Sequence, residues 1–184
     1  MGFSYSIPGT TALRQGEIIR NFVEQSVVVS DECSAGEVAV ESIQHPYVVV
    51  VTPDCDLEWD YKSRTGTAEL HKQLLYVRFC ALFPRDEIRQ QRGLVSDLFR
   101  DATRNQHPRY HHFPEATPEG LTEVVPELFA DFKYVFSMPR DYVYASLQTT
   151  ATSRLCLLVC PYLQDFIQRL SSFLGRVGIA EAQD

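Results

Sequence analysis

The order of apolar patterns along this 184-residue chain predicts an α+β fold, a small antiparallel barrel or sheet covered by helices. Three observations carry that expectation. The run Tyr47-Val48-Val49-Val50-Val51-Thr52 is continuously apolar and β-branched, as in a strand buried on both faces. Leu163, Phe166, Ile167, Leu170, Phe173 and Leu174 recur at steps of three and four, which sets them on one face of a helix. Between these, the patterns follow the order strands, helix, strands, helix.

Taken from the start, residues 1–15 read as a lead-in with a turn at Pro8-Gly9. From Gly16 the apolar stretch 17–23 and the Val27-Val28-Val29 run read as strands, followed by a polar turn at Ser30-Asp31-Glu32. Val38 and Val40 alternate with polar neighbours. Pro46 and Pro53 are expected to bound the central strand, because a proline removes a ladder donor. Another strand is expected over 74–82. Pro84 suits a first helical turn and opens a helical stretch over 85–104, with Ile88, Val95, Leu98, Phe99 and Ala102 as its apolar stripe and Gly93 as a dividing point. A Pro- and His-rich connector covers 107–118, and strands follow at 132–138, ended by Pro139, and at 155–159. Gly175 stands where the last helix would cap. The expected organisation is a single domain, with a β-rich core over 16–83 and 107–160, a helical insertion over 84–105 and a C-terminal helix over 161–175.

Composition narrows the partners. The formal net charge of -7 argues against nucleic acid, whose phosphates demand a basic surface. There is no apolar run near 18 residues and no basic, apolar leader, so the expectation is a cytoplasmic protein with no membrane partner. Cys33, Cys55, Cys80, Cys156 and Cys160 are an odd number without a CxxC pair, which predicts reduced, mostly buried thiols.

Chemistry could live in three places. Residues 52–61 leave the most buried strand and alternate Asp54, Asp56, Glu58 and Asp60 with Cys55, Leu57, Trp59 and Tyr61. In an extended chain all four carboxylates would share one face, and their repulsion calls for a divalent cation or a basic partner surface. The plainer alternative is a solvated acidic edge. Cys55, between two aspartates, makes a poor nucleophile and is expected to point inward. The second place is 107–115, where an extended chain puts Arg109, His111 and Phe113 on one face and Tyr110 and His112 on the other. His111 or His112 could join the carboxylates in a mixed site, although the spacing fits no HExxH motif; a surface strand with ordinary histidine hydrogen bonds is the alternative. The third is the arginine series Arg85, Arg89, Arg92, Arg100 and Arg104, interspersed with Asp86, Glu87, Asp97 and Asp101: the mixed signs favour a solvated, salt-bridged helix face, and the alternative is an arginine face for nucleic acid or an acidic protein. No P-loop, dinucleotide fingerprint, nucleophile elbow or kinase signature occurs.

The stretch from Gln15-Gly16-Glu17-Ile18-Ile19 to His45-Pro46-Tyr47-Val48-Val49-Val50-Val51-Thr52-Pro53 resembles the opening of the PemK/MazF-like toxins. That resemblance spans about the first 80 residues and implies an SH3-like barrel. His45 stands where the family's Arg-Pro motif has arginine, and the acidic 54–60 segment would repel RNA, so no catalytic residue carries over from those ribonucleases. The whole chain also resembles a group of small bacterial proteins from mobile or defence-related gene neighbourhoods. The shared pieces are Asp54-Cys55-Asp56-Leu57-Glu58, Arg109-Tyr110-His111-His112-Phe113-Pro114, and a tail like Pro161-Tyr162 through Arg176-Val177-Gly178.

The leading expectation is a non-catalytic accessory or regulatory module, without a cofactor, that binds another protein through Asp54, Asp56, Glu58, Asp60, Arg109, His111 and His112. Two alternatives stay open. In a metal-dependent hydrolase or nuclease, Asp54, Asp56 and Glu58 would hold a divalent ion, His111 or His112 would move protons and Arg109 would clamp a phosphate. The other is a divergent, metal-independent PemK-like ribonuclease.

Overall fold

The computed structural model describes residues 5–9, 12–28, 39–66, 69–90, 93–117 and 123–176. Cys33, the turn at 30–32, Arg92 and the Val177-Gly178 end of the tail lie outside those residues.

Seven antiparallel strands form one sheet: β1 (Tyr5–Ser6), β2 (Glu17–Val28), β3 (Ala39–Val50), β4 (Tyr76–Pro84), β5 (Tyr110–Phe113), β6 (Leu128–Pro139) and β7 (Ser153–Leu158). Their spatial order is β1-β7-β2-β3-β4-β6-β5. Among the described residues five α-helices accompany them: α1 (Asp54–Thr65), α2 (Arg85–Gln90), α3 (Ser96–Thr103), α4 (Arg140–Ser146) and α5 (Tyr162–Leu174). The α+β, antiparallel expectation therefore holds. A closed barrel is not confirmed: among the described residues the edge strands β1 and β5 do not pair with each other, and the sheet is open.

Period-two alternation divides the core between the two faces of the sheet. Ile18, Val49, Cys80 and Leu82 point to one face, where Phe166 and Leu170 of α5 cover them. Ile19, Val48, Val50 and Phe79 point to the other, under Leu57 of α1 and Val143 of α4. Ala81 and Phe83 continue that second face toward Ile88 of α2 and Ala102 of α3. The valine run of β3 is buried on both sides for this reason. Gly93, with φ +61°, separates α2 from α3, and α5 ends with its capping N–H at Gly175.

Pro46 does not bound β3. The strand begins at Ala39 and runs through it, because β4 pairs only with Tyr47 to Val50 and leaves Pro46 beyond that ladder. On the β2 side the register steps from Arg20↔Tyr47 to Phe22↔His45, past Asn21 in the left-handed region at φ 55°. Likewise 17–28 is one strand rather than two.

Candidate functional site

The acidic segment is helical, not extended. Pro53 precedes the first turn, Asp54 and Asp56 lie at the positive end, and Lys62 and Arg64 occupy the last turn, an arrangement that complements the helix dipole. At about 100° per residue the four carboxylates cannot share a face. Asp54 and Glu58 fall on one side of α1, while Asp60 turns inward and is buried.

Each of these three is already partnered within the chain. Arg14 donates to Asp54 from Nε at 3.0 Å and Nη2 at 2.8 Å, and the Gln15 N–H adds a bond of 2.7 Å. Burial raises the Asp54 carboxyl, but the Arg14 and Gln15 bonds outweigh it and hold it below the ordinary range. Glu58 pairs with Lys62 one turn on. Asp60 accepts from Arg64 Nε at 2.8 Å, the Leu74 N–H at 2.9 Å and Arg140 Nε at 2.8 Å. Burial raises this carboxyl too, and the same donors bring it below its usual value. Asp56 is half-buried, with the Cys55 thiol 3.7 Å from its Oδ1. Cys55 is exposed rather than inward-pointing, because the helix turns Leu57 and Asp60 to the core instead. Cys160 is also exposed, and Cys80 and Cys156 are buried free thiols.

Around α1 the surface is concave. A cavity of about 490 Å³ has Ile7, Leu13 and Leu157 as apolar wall and Arg14, Asp54, Glu58 and Lys62 as charged rim. A smaller one of about 230 Å³ shares Arg14, Asp54 and Leu157 with it and reaches Cys160 and Leu163. On the next face of α1, Trp59, Lys62, Glu69 and Lys72 line a third of about 360 Å³.

The histidine segment lies elsewhere. Arg109 makes a fork with the buried carboxylate of Asp131, Nε at 2.7 Å and Nη2 at 2.6 Å, so its guanidinium is engaged. Tyr110, His111 and Phe113 are buried, which corrects the surface-strand reading: β5 is covered by α5 on one face and by α3 on the other. His111 sits among Phe113, Phe132 and Phe166, and neither ring nitrogen has a hydrogen-bond partner among the described residues. Burial, with Arg169 and His112 nearby, pulls its pKa down to about 3. His112 faces the opposite way and meets Glu127 at 2.9 Å, while Arg85 donates to the other Glu127 oxygen at 2.8 Å.

The sheet therefore separates the two predicted clusters. His111 belongs to the α5 face, whereas α1 packs on the other, and His112 lies with α3 rather than α1. Among the described residues no three His, Cys, Asp or Glu side chains gather as a metal-ligand set. Sequence reasoning missed two further polar clusters. The buried Glu17 carboxylate takes a fork from Arg154, with Nη2 at 2.7 Å. Glu24 lies 2.7 Å from His45 Nε2 and accepts from Tyr134 at 3.1 Å. Both join residues more than 20 positions apart through strand register, which no local motif encodes.

No helix of the described residues is long and apolar enough to cross a membrane. Comparison with protein-family models finds no match, and comparison with curated proteins finds none either.

Proposed function

We propose that the protein is a non-catalytic binding module that docks another protein on the α1 end of its sheet. The supporting observation is that α1 and the 70–76 segment that follows it leave large apolar side chains in solvent. Trp59 is 52% exposed, Leu70 79%, Leu75 78% and Tyr76 55%. Asp60 ties α1 to this segment at Leu74 and to Arg140 of α4. Trp and Tyr anchors beside paired charges are what protein interfaces use, the aromatic supplying area and the charges supplying register. The internally neutralised carboxylates favour this reading over ion chemistry, since Asp54 and Asp60 have their oxygens committed to N–H donors. The residue likenesses noted above fit an accessory or regulatory component of a bacterial defence or toxin–antitoxin type system.

Trp59 is the chain's single tryptophan, so its fluorescence reports directly on this surface. A partner recovered with the intact chain should shift Trp59 emission to the blue on binding. Trp59→Ala combined with Tyr76→Ala should abolish recovery while the thermal unfolding of the module stays close to that of the parent. Equal recovery by the double variant would sink the proposal.

A further inference from the structure

The junction of β5 with α5 leaves polar groups unsatisfied in a way the α1 end does not. Neither His111 ring nitrogen, nor Arg169 Nε, has a hydrogen-bond partner among the described residues, and all three atoms are buried. Native folds leave few such atoms; of the two residues, Arg169 lines an adjacent cleft, whereas His111 is packed in the aromatic layer of Phe113, Phe132 and Phe166.

Among the described residues no carboxylate is bonded to Arg169. Its terminal nitrogens donate to backbone carbonyls of Asn105, of His107 at 2.9 Å and of Tyr110 at 3.0 Å. Those bonds point the guanidinium and fix it, but they go to neutral carbonyls, and the carboxylate whose charge acts on it is Asp165. Two helical turns later, Arg176 lies over the Phe173 ring at 3.6 Å and donates from Nε to the Phe173 carbonyl at 2.9 Å. No hydrogen bond or ion pair occupies its Nη atoms among the described residues. Both arginines line a cleft of about 460 Å³, together with Pro108, Gln168, Ser172 and Phe173. One carboxylate, Asp165, lies at its edge, one turn before Arg169. The cleft thus holds two cations against one anion in a chain whose net charge is -7.

We propose that this cleft binds a small phosphate monoester, its phosphate held by Arg169 and Arg176 and its apolar body against Pro108. Two planar guanidiniums match the oxygens of a dianion better than any single amine would. The cleft is of the size that small-ligand sites occupy. This surface is on the α5 face, opposite the α1 docking surface, so the two proposals stand or fall separately.

The test is a titration of the full chain with phenyl phosphate, followed by two-dimensional NMR of the arginine Nε–Hε groups, with inorganic phosphate and benzoate as comparisons. The expected result is saturable binding near or below about 1 mM, with the Arg169 Nε–Hε signal shifting. Inorganic phosphate should bind more weakly, for want of the apolar body, and benzoate more weakly still. Arg169→Gln also removes the bonds that hold 105–110, so Arg176→Gln carries the argument. It should weaken phenyl phosphate about tenfold, as expected for a charge-assisted bond, without changing the melting curve. An unmoved Arg169 signal at saturation, or unchanged affinity in Arg176→Gln, would overturn the proposal.

Discussion

At α1, Asp54 and Asp60 each collect three N–H donors; at β5, the His111 ring collects none among the described residues. Both regions are dense in ionisable side chains, and at β5 Arg109 and His112 find carboxylates while the His111 ring, in other surroundings, does not. The cause is geometric. A helix brings residues four apart together, so Glu58 meets Lys62 and Asp60 meets Arg64 without help from the rest of the fold. A strand sends neighbours to opposite faces, so His111 enters an aromatic layer under α5 while His112 finds Glu127 on the other side. The bonded carboxylates tie α1 to its neighbours, whereas the His111 ring is held by packing against Phe113, Phe132 and Phe166.

The largest effect that separates the regions is expected at Asp60. Asp60→Asn leaves Arg64 and Arg140 facing a neutral amide in a buried pocket, and should cost about 3 kcal/mol in chemical denaturation. A loss under about 1 kcal/mol would mean that solvent screens the hub and that α1 is only loosely tied to its neighbours. The Asp60 carboxyl titrates below its ordinary value when folded, so its contribution is present at neutral pH and is lost as pH falls through that depressed value.

His111 should act in a different pH window. Its folded pKa drops from the ordinary 6.5 to about 3, so the unfolded chain takes up the proton first as pH falls. Stability is therefore complete above the ordinary value and declines below it, by about 1.4 kcal/mol per pH unit until the folded value is reached. His111→Leu should remove this limb and be near-neutral at pH 7, since an apolar ring-site replacement leaves no unsatisfied nitrogen behind. Equilibrium unfolding of both chains across that window measures it; parallel curves would show that His111 finds a partner in solution.

These two residues also show what the sequence can convey. The valine run of β3, the division at Gly93 and the face of α5 were legible because period and punctuation are local. The helical state of 54–65 was legible too, in Pro53, the early aspartates and the late Lys62 and Arg64, but the carboxylate alternation suggested a strand instead. The i,i+4 pairs were the signal that should have won. Asp131 under Arg109 and Arg154 on Glu17 could not be read, because strand register alone brings them together. The open sheet was hidden for a related reason: β7 inserts between β1 and β2 from the far end of the chain.

The smallest effect belongs to Asp54, and it sharpens the comparison within α1 itself. Arg14 and Asp54 are both substantially exposed, so solvent screens their attraction even though the fork is well formed. Asp54→Asn should cost about 1 kcal/mol, part of it from the weakened Gln15 N–H bond. A double-mutant cycle with Arg14→Ala should return a coupling below about 1 kcal/mol, well under the Asp60 effect. If the coupling matched that of Asp60, the rim of the 490 Å³ cavity would be as tightly held as the hub beneath it, and the cavity would be a preformed pocket rather than a surface whose charges can exchange partners. A small coupling instead leaves Arg14 and Asp54 free to re-pair across an interface, which is how exposed charges set the register of a docked protein.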